Sequence, residues 1–282
     1  MKIVALDIGG TAVKYGIFEK EKKSFGQFSV KQPDGSENIP MCLCNFVKDH
    51  KPDVVAVSSP GPFDFESGTG FMTHKLTSML NISLKEKIKE ILPLAKSIFV
   101  HDSTAFAVGA ISQNPLLTEK RFAAVMLGTG LGYTVSEKGK ILLNEKQTPR
   151  CSLWNQAFLD GITEDYVSTR ALRGNAEACG IKAENVLCLA EMAKQGNADV
   201  LRIFESYGTY LGMCVQEAGK RDSFSDLVIG GQISKSWELI KDGFERACSI
   251  SYEVVKEPQT CALYGLYACA MQGKETYYKI SE

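Results

Sequence analysis

The chain has 282 residues, of which 44% are hydrophobic and 23% charged, a balance that is typical of folded proteins and excludes intrinsic disorder. This length exceeds the ~150 residues of a usual single domain, so we expect two domains. The 32 basic and 33 acidic residues leave a formal net charge of -1 with no basic block, and we therefore expect no nucleic acid partner.

No apolar run in the chain approaches the ~20 residues that a membrane span needs. The N-terminus also lacks a secretory signal, because Asp7 interrupts its short apolar segment. We therefore expect no membrane contact and a cytoplasmic location. The nine cysteines include no Cys-x-x-Cys pair, which favours free thiols.

Three strands at residues 2–7, 12–18 and 24–31 are predicted to open the chain as an antiparallel meander. The pattern then predicts a helix at 39–48, a strand at 53–59, a helix at 84–92 and a strand at 97–101. A second pair of strands joined by a glycine turn follows at 122–127 and 132–138, so the chain looks internally duplicated. The remaining predicted elements are helices at 161–172, 183–194 and 199–220, a strand at 226–229, a helix after Ser234 and a final helix at 260–272.

The first glycine turn lies between two predicted strands and contains Asp7, Gly9, Gly10 and Thr11. Paired glycines let the backbone approach a phosphate, and the threonine adds a hydroxyl donor. Asp7 would repel bound phosphates unless a divalent cation or its water shell lay between, which favours indirect Mg²⁺ binding. Lys14 is either a phosphate ligand or an ordinary surface lysine. The alternative for the whole segment is a plain hairpin turn.

The second glycine turn, with Gly128, Thr129 and Gly130, would contact the same nucleotide from the other side. It is neither a Walker A loop nor the G-x-G-x-x-G fingerprint of a Rossmann domain. Gly230 and Gly231 join a strand to a helix, where an adenosine could approach the backbone. The alternative there is a tight turn without a ligand.

Two further segments carry candidate chemistry. Asp102 stands between a predicted buried strand and a helix, where it is either an N-cap or a carboxylate base. The segment from Pro60 to Asp64 is either a loop that closes over a small polyol, with Gly61 and Asp64 as its contacts, or an ordinary loop.

These segments together resemble the ROK family of the sugar kinase, heat-shock chaperone and actin superfamily. The resemblance implies an α/β, two-domain actin-like ATPase (ribonuclease H-like) fold with an interdomain cleft. It places the N-terminal domain at 1–108, completed by the C-terminal segment 260–282, and the C-terminal domain at 109–259.

The resemblance also implies an ATP- and Mg²⁺-dependent sugar kinase with Asp102 as the catalytic base. Asp7 to Thr11 and Gly128 to Gly132 match the two phosphate motifs, and Gly230-Gly231 matches the adenosine motif. The sugar-side positions are Gly61, Asp64, His101 and Glu164. Family members often form homodimers, but nothing in the sequence identifies an interface.

Three departures from the family pattern concern the sugar side. The cysteine-rich zinc segment before Glu164 is absent, with Ile162 in place of a ligand cysteine, so we expect no structural zinc. His101 replaces the usual asparagine before the base and is either a sugar ligand or a buried histidine. The usual Glu-x-x-His element cannot be placed, and the conspicuous Trp154 in that region is either a sugar-stacking residue or, as we favour, part of the core.

Other functions remain open at this point. A catalytically weak sugar-sensing module fits the missing zinc segment, although it would not need a base at Asp102. Direct repression is not expected, because the first phosphate motif begins at Asp7 and leaves no room for a DNA-binding domain before it. A kinase for a carboxylic acid fits less well than one for a neutral polyol, because Asp64 and Glu164 would repel an anion.

Overall fold

The structure is a computed structural model that describes residues 1–9, 12–31, 36–73 and 75–280. The strands are β1 (Lys2–Ile8), β2 (Ala12–Glu19), β3 (Lys22–Ser29), β4 (Val54–Ser59), β5 (Phe63–Asp64), β6 (Thr69–Gly70), β7 (Lys96–His101), β8 (Arg121–Leu127), β9 (Leu131–Glu137), β10 (Lys140–Leu143), β11 (Ala157–Phe158), β12 (Gly161–Ile162), β13 (Asp226–Gly230), β14 (Ser251–Val254) and β15 (Tyr278–Ile280). The helices are α1 (Ile39–His50), α2 (Leu84–Ile91), α3 (Asp102–Gln113), α4 (Thr163–Tyr166), α5 (Thr169–Ala178), α6 (Val186–Lys194), α7 (Ala198–Asp222), α8 (Trp237–Ala247) and α9 (Cys261–Gln272).

The chain divides into two compact units. The first consists of Met1–Glu119, Glu137–Arg150 and Gln259–Glu282, and the second of Lys120–Ser136 and Cys151–Pro258. This division differs from the boundary that we predicted after Val108, because α3 continues unbroken to Gln113. Gly109 of α3 packs so closely on Cys261 of α9 that a Cβ atom would overlap the Cys261 carbonyl oxygen. Residues just after Val108 therefore stay with the first unit.

The sheet of the first unit has the strand order β3-β2-β1-β4-β7. β1, β2 and β3 form the predicted antiparallel meander, while β4 is parallel to both β1 and β7. Every residue of β4 is buried, as expected for a central parallel strand that is covered on both faces. Because β1, β4 and β7 are parallel, Asp7, Ser58 and His101 all lie near the carboxyl ends of their strands.

In the second unit, β14, β13, β8 and β9 are successive neighbours in one sheet. β13 is parallel to both β8 and β14. The long helix α7 packs tightly on α8, where Gly208 and Gly243 let the two backbones meet. The second glycine turn, Gly128–Gly130, joins β8 to β9 in this sheet.

The single helix predicted at residues 161–172 is wrong. Gly161 and Ile162 instead form β12, which pairs antiparallel with β11. The short helix α4 follows and ends before Ser168, whose hydroxyl caps α5 by accepting the Ala171 amide. The serine's preference for an N-cap over a helix interior explains the break.

Within the described residues, no helix is long and apolar enough to cross a membrane. The nine cysteines all lie within the described residues, and the structure shows no disulfide bond among them.

Candidate active site

Asp7 lies near the end of β1, directly opposite a cation and a hydroxyl on the two neighbouring strands. The antiparallel register pairs Asp7 with Lys14, and the parallel register pairs it with Ser58. Lys14 Nζ lies 3.5 Å from Asp7 Oδ2, and Ser58 Oγ donates to Asp7 Oδ1 at 2.7 Å. The Gly9 amide closes the turn by donating to Ala12 O at 3.1 Å. Gly10 and Thr11, which we also predicted as phosphate ligands, lie outside the described residues.

The donor set at Asp7 suits a cation that is held mainly by phosphates. One carboxylate with a hydroxyl and an ammonium beside it is too few anionic ligands for an all-protein Mg²⁺ site, but it can orient the water shell of a nucleotide-bound ion. No group of three or more His, Cys, Asp or Glu side chains comes together as a metal site in the part of the chain that the structure describes. The expected absence of zinc stays a prediction.

Asp102 is the first residue of α3, and its carboxylate is held through one oxygen. Oδ1 accepts from the Ser103 amide at 2.6 Å and from the Ser103 hydroxyl at 3.2 Å, and it lies 3.0 Å from His101 Nδ1. Among the described residues, no polar contact reaches Oδ2. The N-cap of the helix is His101 and not Asp102, which corrects the alternative interpretation of Asp102.

Burial alone would raise the pKa of the Asp102 carboxyl, but three neighbours outweigh it. The positive charge and the hydrogen bond of His101, the Ser103 amide and the more distant Lys75 ammonium hold this pKa below its usual value. Asp102 is therefore a carboxylate at neutral pH, while 25% of its side chain remains exposed. An ionised carboxylate with one unoccupied oxygen is suited to accept a proton.

His101 connects Asp102 to the loop that follows β4. His101 Nδ1 lies 3.3 Å from the Ser103 amide nitrogen. The same amide makes its shorter hydrogen bond, of 2.6 Å, to Asp102 Oδ1. A carboxylate oxygen only accepts, so the contact with Asp102 places a proton on His101 Nδ1. Nε2 is directed toward Gly61, where an added Cβ would lie 4.0 Å away, and the ring lies 5.8 Å from that of Phe65.

Asp64 uses its carboxylate within its own loop. Oδ1 accepts from the Glu66 amide at 2.9 Å and Oδ2 from the Ser67 hydroxyl at 2.6 Å. These two hydrogen bonds, with the nearby Lys274 charge, hold the pKa of Asp64 below its usual value. The geometry thus favours the ordinary-loop interpretation of Asp64, since the side chain shapes the β5–β6 turn.

The second glycine turn is fixed by α4 and α5. Within the turn, the Gly128 amide donates to Gly130 O at 3.2 Å. The amide and hydroxyl of Thr169, at the start of α5, both donate to Gly128 O, at 2.9 and 3.0 Å. Thr129 is exposed at the tip of the turn.

Glu164 lies on α4 and reaches back to this turn. Its Oε2 accepts from the Leu131 amide at 3.1 Å, and an added Cβ on Gly130 would lie only 2.7 Å from the same oxygen. The Glu164 amide donates to the carbonyl of Trp154 at 2.9 Å. Trp154 is 48% exposed, so the core position that we favoured for it is wrong.

Gly231 is accounted for by packing alone. It has φ of +87°, and an added Cβ would overlap the backbone of Leu127 at the end of β8. The Ser234 hydroxyl donates to Gly231 O at 2.8 Å and closes the turn after β13. Gly230 is the buried last residue of that strand. The tight-turn interpretation is therefore sufficient for Gly231, and an adenosine role would be additional.

Each unit brings together its own share of the predicted residues. The first unit gathers Asp7 with Lys14 and, separately, Asp102 with His101 and Gly61. The second gathers the Gly128–Gly130 turn with Glu164. Sequence reasoning missed Ser58 and Thr169, and only Ser58 left a signal, as a polar residue at the end of an otherwise apolar buried strand.

Comparisons with known proteins agree with this architecture. The chain is 26% identical over 137 residues to a β-glucoside kinase of Klebsiella pneumoniae, a match that spans 48% of this chain and only 46% of that kinase. A ROK family glucokinase of Streptomyces griseus, solved with glucose and AMPPNP, superposes with a TM-score of 0.78 at 19% identity, covering 97% of this chain and 100% of the other. A ROK family transcriptional regulator, a homologue of the E. coli MLC protein, superposes with a TM-score of 0.75 at 14% identity over 95% of this chain and 78% of the regulator.

These structural matches confirm the predicted α/β, two-domain actin-like ATPase fold. The ROK family itself is matched by residues 3–146, which is just over half of the sequence. The chain belongs to the ROK family.

Proposed function

We propose that this protein is an ATP-dependent sugar kinase in which Asp102 is the general base. The observation that carries the proposal is the geometry of the Asp102 carboxylate: Oδ1 is fixed by Ser103 and His101, and Oδ2 is left without a polar partner among the described residues. Fixing one oxygen orients the other, which is what a positioned base requires. The glucokinase and β-glucoside kinase relatives support the choice of a sugar as acceptor.

In the proposed reaction, Oδ2 of Asp102 takes the proton of a sugar hydroxyl. The sugar oxygen forms a bond to the γ-phosphorus of ATP, the bond between that phosphorus and the β–γ bridging oxygen breaks, and ADP leaves. Bound Mg²⁺ would neutralise charge on the phosphate oxygens. Asp7 would orient the water shell of the ion, and Lys14 would offset the negative charge of the phosphates.

The nucleotide is proposed to contact both glycine turns. Its proposed ligands are Gly9, Gly10 and Thr11 of the first turn and Gly128, Thr129 and Gly130 of the second. The exposed position of Thr129 and the rigid support of its turn by Thr169 are suited to this role. Gly230 and Gly231 remain the proposed adenosine contact.

On the sugar side, we retain Gly61, His101 and Glu164 as ligands and assign Asp64 to the structure of its own loop. His101 presents Nε2 toward Gly61, where this ring nitrogen could hydrogen-bond a sugar hydroxyl. Glu164 has one oxygen on the Leu131 amide, which leaves its other oxygen for a hydroxyl. The acceptor class is a hexose or hexose derivative.

The test is ADP release from MgATP with a panel of hexoses, N-acetylhexosamines and β-glucosides. We expect one of these sugars to stimulate turnover, and Asp102→Asn to reduce it by about 10²–10⁴-fold while still binding the sugar. Sugar binding by the variant is checked as a shift in melting temperature. Equal turnover by Asp102→Asn and the wild type would refute the assignment of the base.

A second candidate function is a sugar-binding module without turnover. It is favoured by the shared fold with a ROK transcriptional regulator. In the same assay, a sugar that raises the melting temperature of the wild type but releases no ADP would select this function.

A further inference from the structure

Lys274 is a buried lysine that none of the proposed catalytic steps uses. It begins a short 3-10 helix, Lys274–Tyr277, directly after α9, and only 7% of the residue is exposed. Its Nζ donates to Phe65 O at 2.9 Å, to Phe99 O at 3.3 Å and to Gln147 Oε1 at 2.7 Å. An ammonium group has three N–H donors, so every donor of Lys274 has an acceptor.

The three acceptors lie on three separate segments of the first unit. Phe65 is in the β5–β6 turn, one residue after Asp64. Phe99 is on β7, two residues before His101 and three before Asp102. Gln147 belongs to the segment between β10 and β11. Its side-chain amide donates to the carboxylate of Glu66, which is also in the β5–β6 turn. Lys274 therefore joins the β5–β6 turn to β7, the strand that ends directly before Asp102.

The charge of Lys274 is only partly balanced. Its closest carboxylate is Glu66, with Oε1 3.5 Å from Nζ, and the Glu66 side chain is largely exposed. Burying an ammonium group costs free energy, and an apolar residue at such a site is often at least as stabilising. Stability alone is therefore a poor explanation for a lysine at this place.

Lys274 fixes the distance between the backbone carbonyls of Phe65 and Phe99, because its ammonium group donates to both. Without it, Phe65 O and Phe99 O would lose a charged donor, and the turn would lose a polar link to β7. The rest of the contact is apolar: Gly68 of the same turn packs against the ring of Phe99 so closely that an added Cβ would lie 2.5 Å from it. Lys274 Nζ is the charged donor that both carbonyls share, and it adds a polar link to this packing.

We propose that Lys274 is a positioning residue, which holds the Phe63–Gly70 loop against β7 and thereby sets the position of Gly61 and His101 for the sugar. This inference rests on the proposed function for its kinetic consequence, but not for its structural one. Lys274 touches neither reactant. Its removal should impair sugar binding more than nucleotide binding.

The experiment compares Lys274→Met with Lys279→Met. Lys279 is an exposed lysine of the same C-terminal segment and is ion-paired with Glu137, so it controls for the loss of one positive charge. Hydrogen–deuterium exchange of the ligand-free proteins is measured at the Glu66, Gly68 and Phe71 amides, which donate within or beside the turn. We expect faster exchange at these amides in Lys274→Met, and wild-type exchange there in Lys279→Met.

Kinetics provide the second measurement. We expect Lys274→Met to raise the sugar KM by at least about tenfold, the effect of losing hydrogen bonds from a charged group, with the ATP KM changed less than about twofold. Lys279→Met should leave both values unchanged. Gln147→Leu removes one acceptor while keeping the lysine, and we expect it to produce a smaller change in the same exchange and the same KM.

Unchanged exchange at the turn in Lys274→Met overturns the inference. If Lys274→Met does not fold, Gln147→Leu decides: unchanged exchange and unchanged sugar KM in that variant overturn it equally. Exchange is measured without substrates, so it tests the role of Lys274 independently of catalysis. A wild-type protein that phosphorylates no sugar would refute the proposed function only.

Discussion

His101 Nδ1 lies 3.0 Å from Asp102 Oδ1, on the same oxygen that accepts the Ser103 amide. The imidazole thus fixes the carboxylate on one side and presents its other nitrogen toward Gly61. One residue thereby links the base to the sugar-side loop. A family asparagine at this position could donate a hydrogen bond, but it could not carry a positive charge.

The pH dependence of turnover should reflect this pair. Asp102 works as a base only when ionised, so kcat/KM should persist above its pKa and fall as the pH drops through it. Because that pKa is below its usual value, the acid limb of wild type should lie at lower pH than the usual range of an aspartate. His101→Asn removes the charge that lowers the pKa, so the limb should move to higher pH. The measurement is kcat/KM against pH, and coincident acid limbs in the two proteins would contradict the coupling.

The pair of Asp102 and His101 should also make the free energy of unfolding depend on pH, with lower stability at acidic pH. Since the folded-state pKa of Asp102 is depressed, its ionised form stabilises the fold above the unfolded-state pKa, and this contribution is lost as the pH falls through the folded-state value. His101→Asn should therefore reduce the stability difference between neutral and acidic pH.

Substitutions in the second glycine turn should separate packing from phosphate binding. In Gly130→Ala, the added Cβ would lie 2.7 Å from Glu164 Oε2 and should displace that carboxylate from the Leu131 amide. We expect a lower melting temperature and a higher KM for both sugar and ATP.

Gly128→Ala is the matched control, because its Cβ would meet only Gly130 O at an ordinary 3.9 Å. We expect this variant to keep the wild-type melting temperature and sugar KM and to raise only the ATP KM, since the methyl group would keep a phosphate away from the backbone. Identical behaviour of the two alanine variants would contradict the distinction.

The parts of the site that could be predicted from sequence follow from short-range rules. The antiparallel pairing of β1 with β2, in which Asp7 lies opposite Lys14, follows from the predicted meander, and the parallel arrangement of β1, β4 and β7 follows from the alternation of strands and helices. The start of α3 at Asp102 is likewise a local property of a strand followed by Ser-Thr-Ala.

The parts that could not be predicted depend on tertiary contacts. Glu164 and the Leu131 amide are 33 residues apart, and Lys274 is 209 residues from Phe65. No periodicity encodes such a pairing. The hairpin before α4 was missed because two-residue strands carry too few residues for a period-two pattern, and Trp154 was misplaced because aromatic type alone does not determine burial.

Asp7 should govern the metal requirement. In Asp7→Asn the carboxylate charge is lost while the hydrogen bond from Ser58 can persist, so we expect the Mg²⁺ concentration for half-maximal turnover to rise by about tenfold or more. Ser58→Ala keeps the charge and loses one hydrogen bond, and we expect a change of no more than about fivefold. Turnover is titrated with Mg²⁺ at saturating ATP. An unchanged requirement in Asp7→Asn would exclude Asp7 from the metal site.

Trp154 should report sugar binding directly. The chain has only two tryptophans, and Trp154 is 48% exposed whereas Trp237 is 8% exposed. In a Trp237→Phe background, the tryptophan fluorescence comes from Trp154 alone. The Trp154 carbonyl accepts a hydrogen bond from the amide of the proposed sugar ligand Glu164. If a sugar ring stacks on the indole, binding should protect Trp154 from quenching by acrylamide, and Trp154→Ala should raise the sugar KM by about threefold to tenfold, as expected for one aromatic contact, with the ATP KM unchanged. Quenching that saturating sugar does not alter, together with a wild-type KM in Trp154→Ala, would show that the indole does not contact the sugar.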